Sequence, residues 1–395
     1  MGLQLPVYMD AHATTPCDPA VIDAMLPTLG RMFGNAASSH HAFGWEAEAL
    51  VEQARELLAG LIGATPSEII FTSGATESDN LAIKGVAHAY RRKGRHLITS
   101  QIEHHAVLHS FQALEREGFE VTYLPVDRSG RVDPEDLRRA IRNETILVSV
   151  MAANNEIGVI QPLAEIGAIC AENGIFFHTD AVQALAHVKI DVNTSAVDLL
   201  SVSAHKMYGP KGVGALYIRR RNPRVRLEPL LSGGGHERGI RPGTLNVTGI
   251  VGLGKAAELV VAARDEESRR IARLRDRLQQ RLLDQLDGVR VNGGEDHRLP
   301  NNLHVTFQGV KAEWMLKAMR NVAVSSGAAC ASASNEPSHV LRALGATPED
   351  AESSLRFGLH RFTTEQEVDF AADLTVKTVQ WLRQNTPDAN LEYCK

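Results

Sequence analysis

Cysteine is scarce in this chain: four in 395 residues, at positions 17, 170, 330 and 394. That spacing fits neither a disulfide framework nor a paired-cysteine zinc site, so a reducing, cytoplasmic setting is expected. Long apolar runs are missing too. None approaches the roughly 20 residues that cross a bilayer, so no membrane association is expected. The stretch Met1–Val7 has no basic segment followed by an apolar core, so no secretory signal is expected there. Nor does one sign of charge dominate. Lys and Arg number 42 against 47 Asp and Glu, a net of −5, which argues against a strongly basic nucleic-acid binder. Repeats and low-complexity segments are absent, as are a GxGxxG fingerprint after a strand and a GxxxxGK[ST] phosphate loop.

What remains is an ordinary globular composition, 44% hydrophobic and 23% charged. The length allows two or three domains, or one large unit with a smaller companion. Short apolar stretches recur at 68–72, 96–100, 121–124, 146–151, 175–178 and 198–202. Between them the spacing predicts helices over 76–93, 105–116 and 163–172, and another opening at Asp133-Pro134. Continuous apolar strands alternating with helices predict an α/β domain with a mainly parallel sheet. After residue 250 the rhythm changes. A charged helix is expected over 269–286, with Ile271, Leu274, Leu278, Leu282 and Leu286 on one stripe and its arginines on a solvated face. A strand at 302–307, a helix near 314–319, a small-residue loop at 325–335 and a helix over 364–382 suggest a smaller α+β domain.

Several segments could carry chemistry. Ser73-Gly74-Ala75-Thr76 closes a strand and opens a helix, where free N–H groups favour an anion; an ordinary capped turn would read the same. Ser203-Ala204-His205-Lys206 follows an apolar strand. Lys206 there is either a desolvated Schiff-base amine or a surface lysine beside a Gly-Pro turn. Asp180, at the end of another strand, needs a cationic partner or caps the next helix. Cys330 stands in a run of small residues, as a nucleophile that travels or as a buried thiol. The pairs His40-His41 and His104-His105 are spaced poorly for one metal, though one ring could line a pocket. Arg356 lies in a strand-like stretch, free to fork onto a carboxylate or to pair with a local acid. The glycine run 233–235 before His236-Glu237-Arg238 suggests a loop meeting a phosphate or another subunit.

Five segments stand in a telling order: Thr72–Asn80, Asn154–Gly158, Ser203–Lys206, Gly234–Gly239 and Ser325–Cys330. Taken together, from Tyr8 to about residue 385, the sequence resembles class-V aminotransferase-like enzymes of pyridoxal-phosphate fold type I. Within them it is similar to the cysteine desulfurases of the IscS/NifS family. The resemblance implies a large domain, 16–260, built on a mainly parallel seven-stranded sheet flanked by helices. It implies a small α+β domain formed by 1–15 with 261–395, carrying the catalytic-cysteine loop. It also implies pyridoxal 5'-phosphate as cofactor. Lys206 would hold the cofactor covalently and move the substrate α-proton. Asp180 would keep the pyridine nitrogen protonated, and His104 would stack on the ring. Asn155 and Gln183 would reach the phenolic oxygen. Ala75, Thr76, Ser203 and His205 would hold the phosphate, joined by Thr244 of the partner subunit in a homodimer. Arg356, with Asn155, would bind the substrate carboxylate. Cys330 would take sulfur from L-cysteine as a persulfide, leaving L-alanine. No resident metal is implied, although Cys330 could transiently ligate an iron–sulfur cluster under assembly. The acceptor stays open among an iron–sulfur scaffold, a tRNA-thiolation relay and a DNA-phosphorothioation protein, and direct nucleic-acid binding is not expected. Selenocysteine lyase and aminotransferase chemistry are the alternatives.

The sequence departs from the family pattern in places. Ala11-His12 stands where relatives often have Asn-Asn or Tyr-Ser, Ala36 replaces a usual proline, and Ala328 a common serine. Relatives that serve an iron–sulfur scaffold usually close with a Trp-containing tail, where this sequence reads Leu391-Glu392-Tyr393-Cys394-Lys395.

Overall fold

The computed structural model describes residues 3–326 and 338–385. Strand β1 (Val7–Tyr8) leads into helices α1 (Pro19–Leu29) and α2 (Ala42–Ile62). An alternating series follows: β2 (Ile69–Thr72), α3 (Ala75–Tyr90), β3 (His96–Ser100), α4 (His105–Arg116), β4 (Glu120–Leu124), α5 (Pro134–Ala140), β5 (Thr145–Ser149), α6 (Leu163–Glu172), β6 (Phe176–Asp180), β7 (Leu199–Ser203) and β8 (Gly214–Ile218). The long helix α7 (Val247–Gln285) precedes β9 (Val289–Val291), β10 (Asn302–Phe307), α8 (Ala312–Ala318), β11 (Val322–Ala323), α9 (His339–Ala343), α10 (Pro348–Glu352), β12 (Ser354–Gly358) and α11 (Glu365–Asn385).

Seven strands form one sheet in the order β2-β8-β7-β6-β5-β3-β4, and only β8 runs against its neighbours. The mainly parallel α/β sheet expected from the sequence is therefore present. Apart from the edge strand β4, its strands are buried on both faces, and successive residues point to opposite sides. Leu147, Phe176, Leu199 and Leu216 pack toward α3 and α4, while Val148, Phe177, Leu200 and Tyr217 pack into the core on the other side. Local chemistry sets several helix starts. Asp18 and Asp133 each accept a first-turn backbone N–H, with Pro19 and Pro134 next in the chain.

A separate core gathers Val7 and Met9 with Ile271, Leu274, Leu278, Leu282, Leu303, Phe357 and Val379. The apolar stripe expected on the second half of α7 is thus buried. Strand β1 pairs in parallel with β11, which ties the start of the chain to its C-terminal part. The sequence reading began this helix at Arg269, whereas one helix runs from Val247. Glycines at 249, 252 and 254 obscure the earlier half, yet they let it pack closely. A Cβ on Gly254 would lie 2.7 Å from the Ala54 Cα of α2. The arginines of α7 are also not simply solvated, because Arg277 and Arg281 pair with Asp369 of α11. Helices α1 and α2 and strand β8 were not anticipated. Pro27 inside α1 and the glycines at 209, 212 and 214, before and at the start of β8, mask the periodicity of those two elements.

Candidate active site

A cleft of about 390 Å³ opens where β5, β6 and β7 end and α3 begins. This is the usual place for a ligand in an open α/β sheet, beyond the carboxyl ends of the strands. Ala75, Thr76, His104, Asn155, Asp180, Gln183, Ser203, His205 and Lys206 all line it. Residues more than a hundred positions apart in the chain thus meet in one space.

One wall is the start of α3. Its N-cap is Gly74, at φ 151°, a conformation only glycine takes easily, and no side chain caps the helix. The first-turn N–H groups therefore stay available for an anion. A Cβ on Gly74 or on Gly212, which both line the cleft, would meet nothing within 4 Å.

The opposite wall comes from β6 and β7. Asp180 accepts the Val182 N–H at 3.0 Å and lines the cleft, but it caps no helix, because the chain after β6 runs through turns to β7. Burial pushes its carboxyl up to about 6, partly offset by that hydrogen bond and by the Lys206 charge. Beyond Ser203 the chain tightens into a turn at Ala204–Lys206 that carries Lys206 into the cleft. The Lys206 Nζ donates to the Ala13 carbonyl at 2.9 Å and to the His12 carbonyl. His205 meets the Thr14 hydroxyl at 3.1 Å, and burial with the Lys206 and Lys211 charges holds it at about 4, hence neutral.

His104 is the N-cap of α4. Its Nδ1 accepts the Ala106 N–H at 3.1 Å, which fixes the ring, and burial above all lowers it to about 4. Asn155 follows Asn154, whose wholly buried side chain shapes the turn. Asn154 Nδ2 donates to the Ile102 carbonyl, and its Oδ1 accepts the N–H groups of Glu156 and Ile157. Beneath the cleft, on the α3 side of the sheet, His178 joins the hydroxyls of Ser149 (2.8 Å) and Ser201 (3.0 Å). Asp79 approaches the same ring at 3.7 Å. Burial above all, with the nearby Asp180 charge, raises the Asp79 carboxyl well above its ordinary value.

A lysine, a buried carboxylate and a helix N-terminus around one cleft match a known arrangement. The aminotransferase class-V family matches residues 7–370. The chain belongs to that family. It is 58% identical to the cysteine desulfurase IscS of Anaeromyxobacter dehalogenans, over 98% of this chain and 95% of that protein. A solved NifS-like protein superposes with a TM-score of 0.89 at 38% identity, covering 95% of this chain and all of that one. A structure described as SspA in complex with cysteine gives 0.79 at 39% identity, over 91% of this chain and all of that one. These relatives place this family member in the cysteine desulfurase branch.

Two of the predicted residues, Arg356 and Thr244, do not line the cleft. Arg356 is 1% exposed, donating to Asp10 Oδ1 at 2.8 Å and to the Asn155 carbonyl at 2.9 Å. It is thus paired with a local acid while sitting behind a cleft residue. Thr244 is exposed, three positions before α7. Cys330 lies outside the described residues. The glycine-run loop is held by Glu237, whose carboxylate receives two Arg55 donors at 2.8 and 3.0 Å and the Phe71 N–H at 2.7 Å. The same loop continues to Arg241, which pairs with Glu77 of α3 at 2.9 Å. The sequence reading gave no role to Lys211, Glu77, Met151 or Val182, yet all four line the cleft. Lys211 directly follows the Gly209-Pro210 turn, and its place just before Gly212 was the available signal.

Proposed function

We propose that this chain is a pyridoxal-phosphate-dependent cysteine desulfurase that converts L-cysteine to L-alanine and passes the sulfur to an acceptor protein. The observation carrying this reading is the convergence of Lys206, Asp180 and the uncapped α3 N-terminus on one cleft. The donor set fits the cofactor. A phosphate suits the N–H groups of Ala75 and Thr76, with Ser203 and His205 beside them. Asp180, buried and raised for want of a full countercharge, suits a protonated pyridine nitrogen. Neutral His104 suits a ring face, and Gln183 and Asn155 suit its phenolic edge.

Bound pyridoxal phosphate supplies an electron sink for negative charge at the substrate α-carbon. Lys206 Nζ would hold the cofactor and would serve as the base for the substrate α-proton. Arg356, released from Asp10, and Asn155 orient the substrate carboxylate. The Cys330 thiolate attacks the substrate sulfur. The carbon–sulfur bond breaks as the sulfur–sulfur bond forms, leaving a persulfide on Cys330 and L-alanine as product.

We also infer a homodimer, in which Thr244 of the partner subunit completes the phosphate site. The support is an apolar surface around Ile22, Leu26, Leu29, Phe33, Phe43 and Trp45, each 44–68% exposed. Three of these lie on one face of α1 at helical spacing. No helix among the described residues is long and apolar enough to cross a membrane, and a cytoplasmic enzyme feeding iron–sulfur assembly or thiolation fits this family. The test is an assay of L-alanine and sulfide from L-cysteine with dithiothreitol, wild type beside Cys330→Ala. Both products should appear with the wild type and be lost in the variant. Equal sulfide release from both would reject the nucleophile, and a yellow protein making neither product would reject the desulfurase reading.

A further inference from the structure

We propose that His12 is a positioning residue that fixes the Gln183 carboxamide so that an N–H, not the oxygen, faces the cofactor. This rests on the cofactor reading above. His12 does not reach the cleft: it is 2% exposed and behind Gln183, which does line it.

The orientation follows from a chain of hydrogen bonds anchored on a carbonyl at each end. Asn302 Nδ2 donates to the Glu156 carbonyl at 2.9 Å. A carbonyl only accepts, so the Asn302 amide cannot be turned round. Its Nδ2 also lies 3.1 Å from His12 Nε2, which must then be the bare, accepting nitrogen. The His12 proton therefore resides on Nδ1, which donates to Gln183 Oε1 at 2.9 Å. With its oxygen engaged, Gln183 donates one Nε2 hydrogen to the His12 carbonyl at 3.1 Å. Among the described residues the second Nε2 hydrogen has no partner, and it is the one left to turn to the cleft.

The ring must stay neutral for this relay. The charged and titratable groups facing it are Arg356 of β12, Lys206 after β7, and His187. With burial first and Arg356 next, they hold His12 well below its usual range, so it carries one proton throughout the working pH.

A donor at the cofactor's phenolic oxygen draws electron density from the atom that shares the neighbouring imine proton. Losing that donor raises the affinity for the proton. The experiment is a pH titration of the visible absorbance of the holoenzymes: wild type, His12→Leu, His12→Asn and Asn302→Leu. His12→Leu should raise the midpoint by about 0.5–1 pH unit, the worth of one ordinary hydrogen bond. His12→Asn, whose amide can stand where Nδ1 stands, should return it close to wild type. A merely structural role would lower thermal stability and leave the midpoint where it was. An unmoved or lowered midpoint in His12→Leu overturns the proposal. If that variant does not fold, Asn302→Leu decides: a rise supports the relay, and no change overturns it. A colourless wild type would instead reject the cofactor reading, and the inference with it.

Discussion

Replacing Asp180 by asparagine should strengthen the cofactor-free protein while disabling the enzyme. The carboxyl is 7% exposed, and burial lifts it from an ordinary 3.8 to about 6. A raised acid stabilises the fold fully below its unfolded value, and that contribution is lost as pH rises through the folded value. The shift of about two units corresponds to about 3 kcal/mol, an upper figure because the site relaxes and Lys206 is near. Asparagine keeps an oxygen for the Val182 N–H, now 3.0 Å away, and removes the ionisation. Urea unfolding of the cofactor-free proteins should therefore favour Asp180→Asn by up to about 3 kcal/mol at about pH 7.5, with little difference near pH 4. The loaded variant should lose turnover on the order of 10²–10³-fold, as when a charge stabiliser is removed from an active site. Parallel stability profiles for the two cofactor-free proteins across that range would refute the argument that burial holds this carboxyl up.

Lys206→Ala should bind no cofactor covalently, seen as loss of visible absorbance, and turnover should vanish with it; full turnover would sink the assignment. The buried Arg55–Glu237 pair gives a second test. Arg55→Leu or Glu237→Leu alone should cost about 3–5 kcal/mol by urea unfolding, because each strands a buried charge. The double variant should cost clearly less than the sum, and additivity would show that the pair is not coupled. Glu103, wholly buried with only one oxygen hydrogen-bonded, is pushed up to about 8. Its contribution is present below its ordinary 4.5 and is lost as pH rises toward 8. Glu103→Gln should flatten the fall in melting temperature over that window, and an unchanged slope would count against a protonated Glu103.

Much of this protein can be read from short range. Strand β3, helix α6 and strand β10 fall where apolar runs and periodicity place them, because burial on two faces and the 3.6-residue repeat are written in consecutive residues. The Asp133-Pro134 helix start is equally local. So are the small residues before α3 and the lysine after β7, both of which sit at strand ends and so at the mouth of the sheet. The stripe on the second half of α7 named its buried face for the same reason. Tertiary structure decided what local pattern cannot contain. It set Asp10 against Arg356, 346 positions apart, and wedged His12 between Gln183 and Asn302. It ran α7 unbroken through glycines that a periodicity count treats as interruptions. Sequence spacing specifies which way a side chain faces on its own element, but its partners depend on strand order and on how the two cores pack. Those are properties of the whole chain.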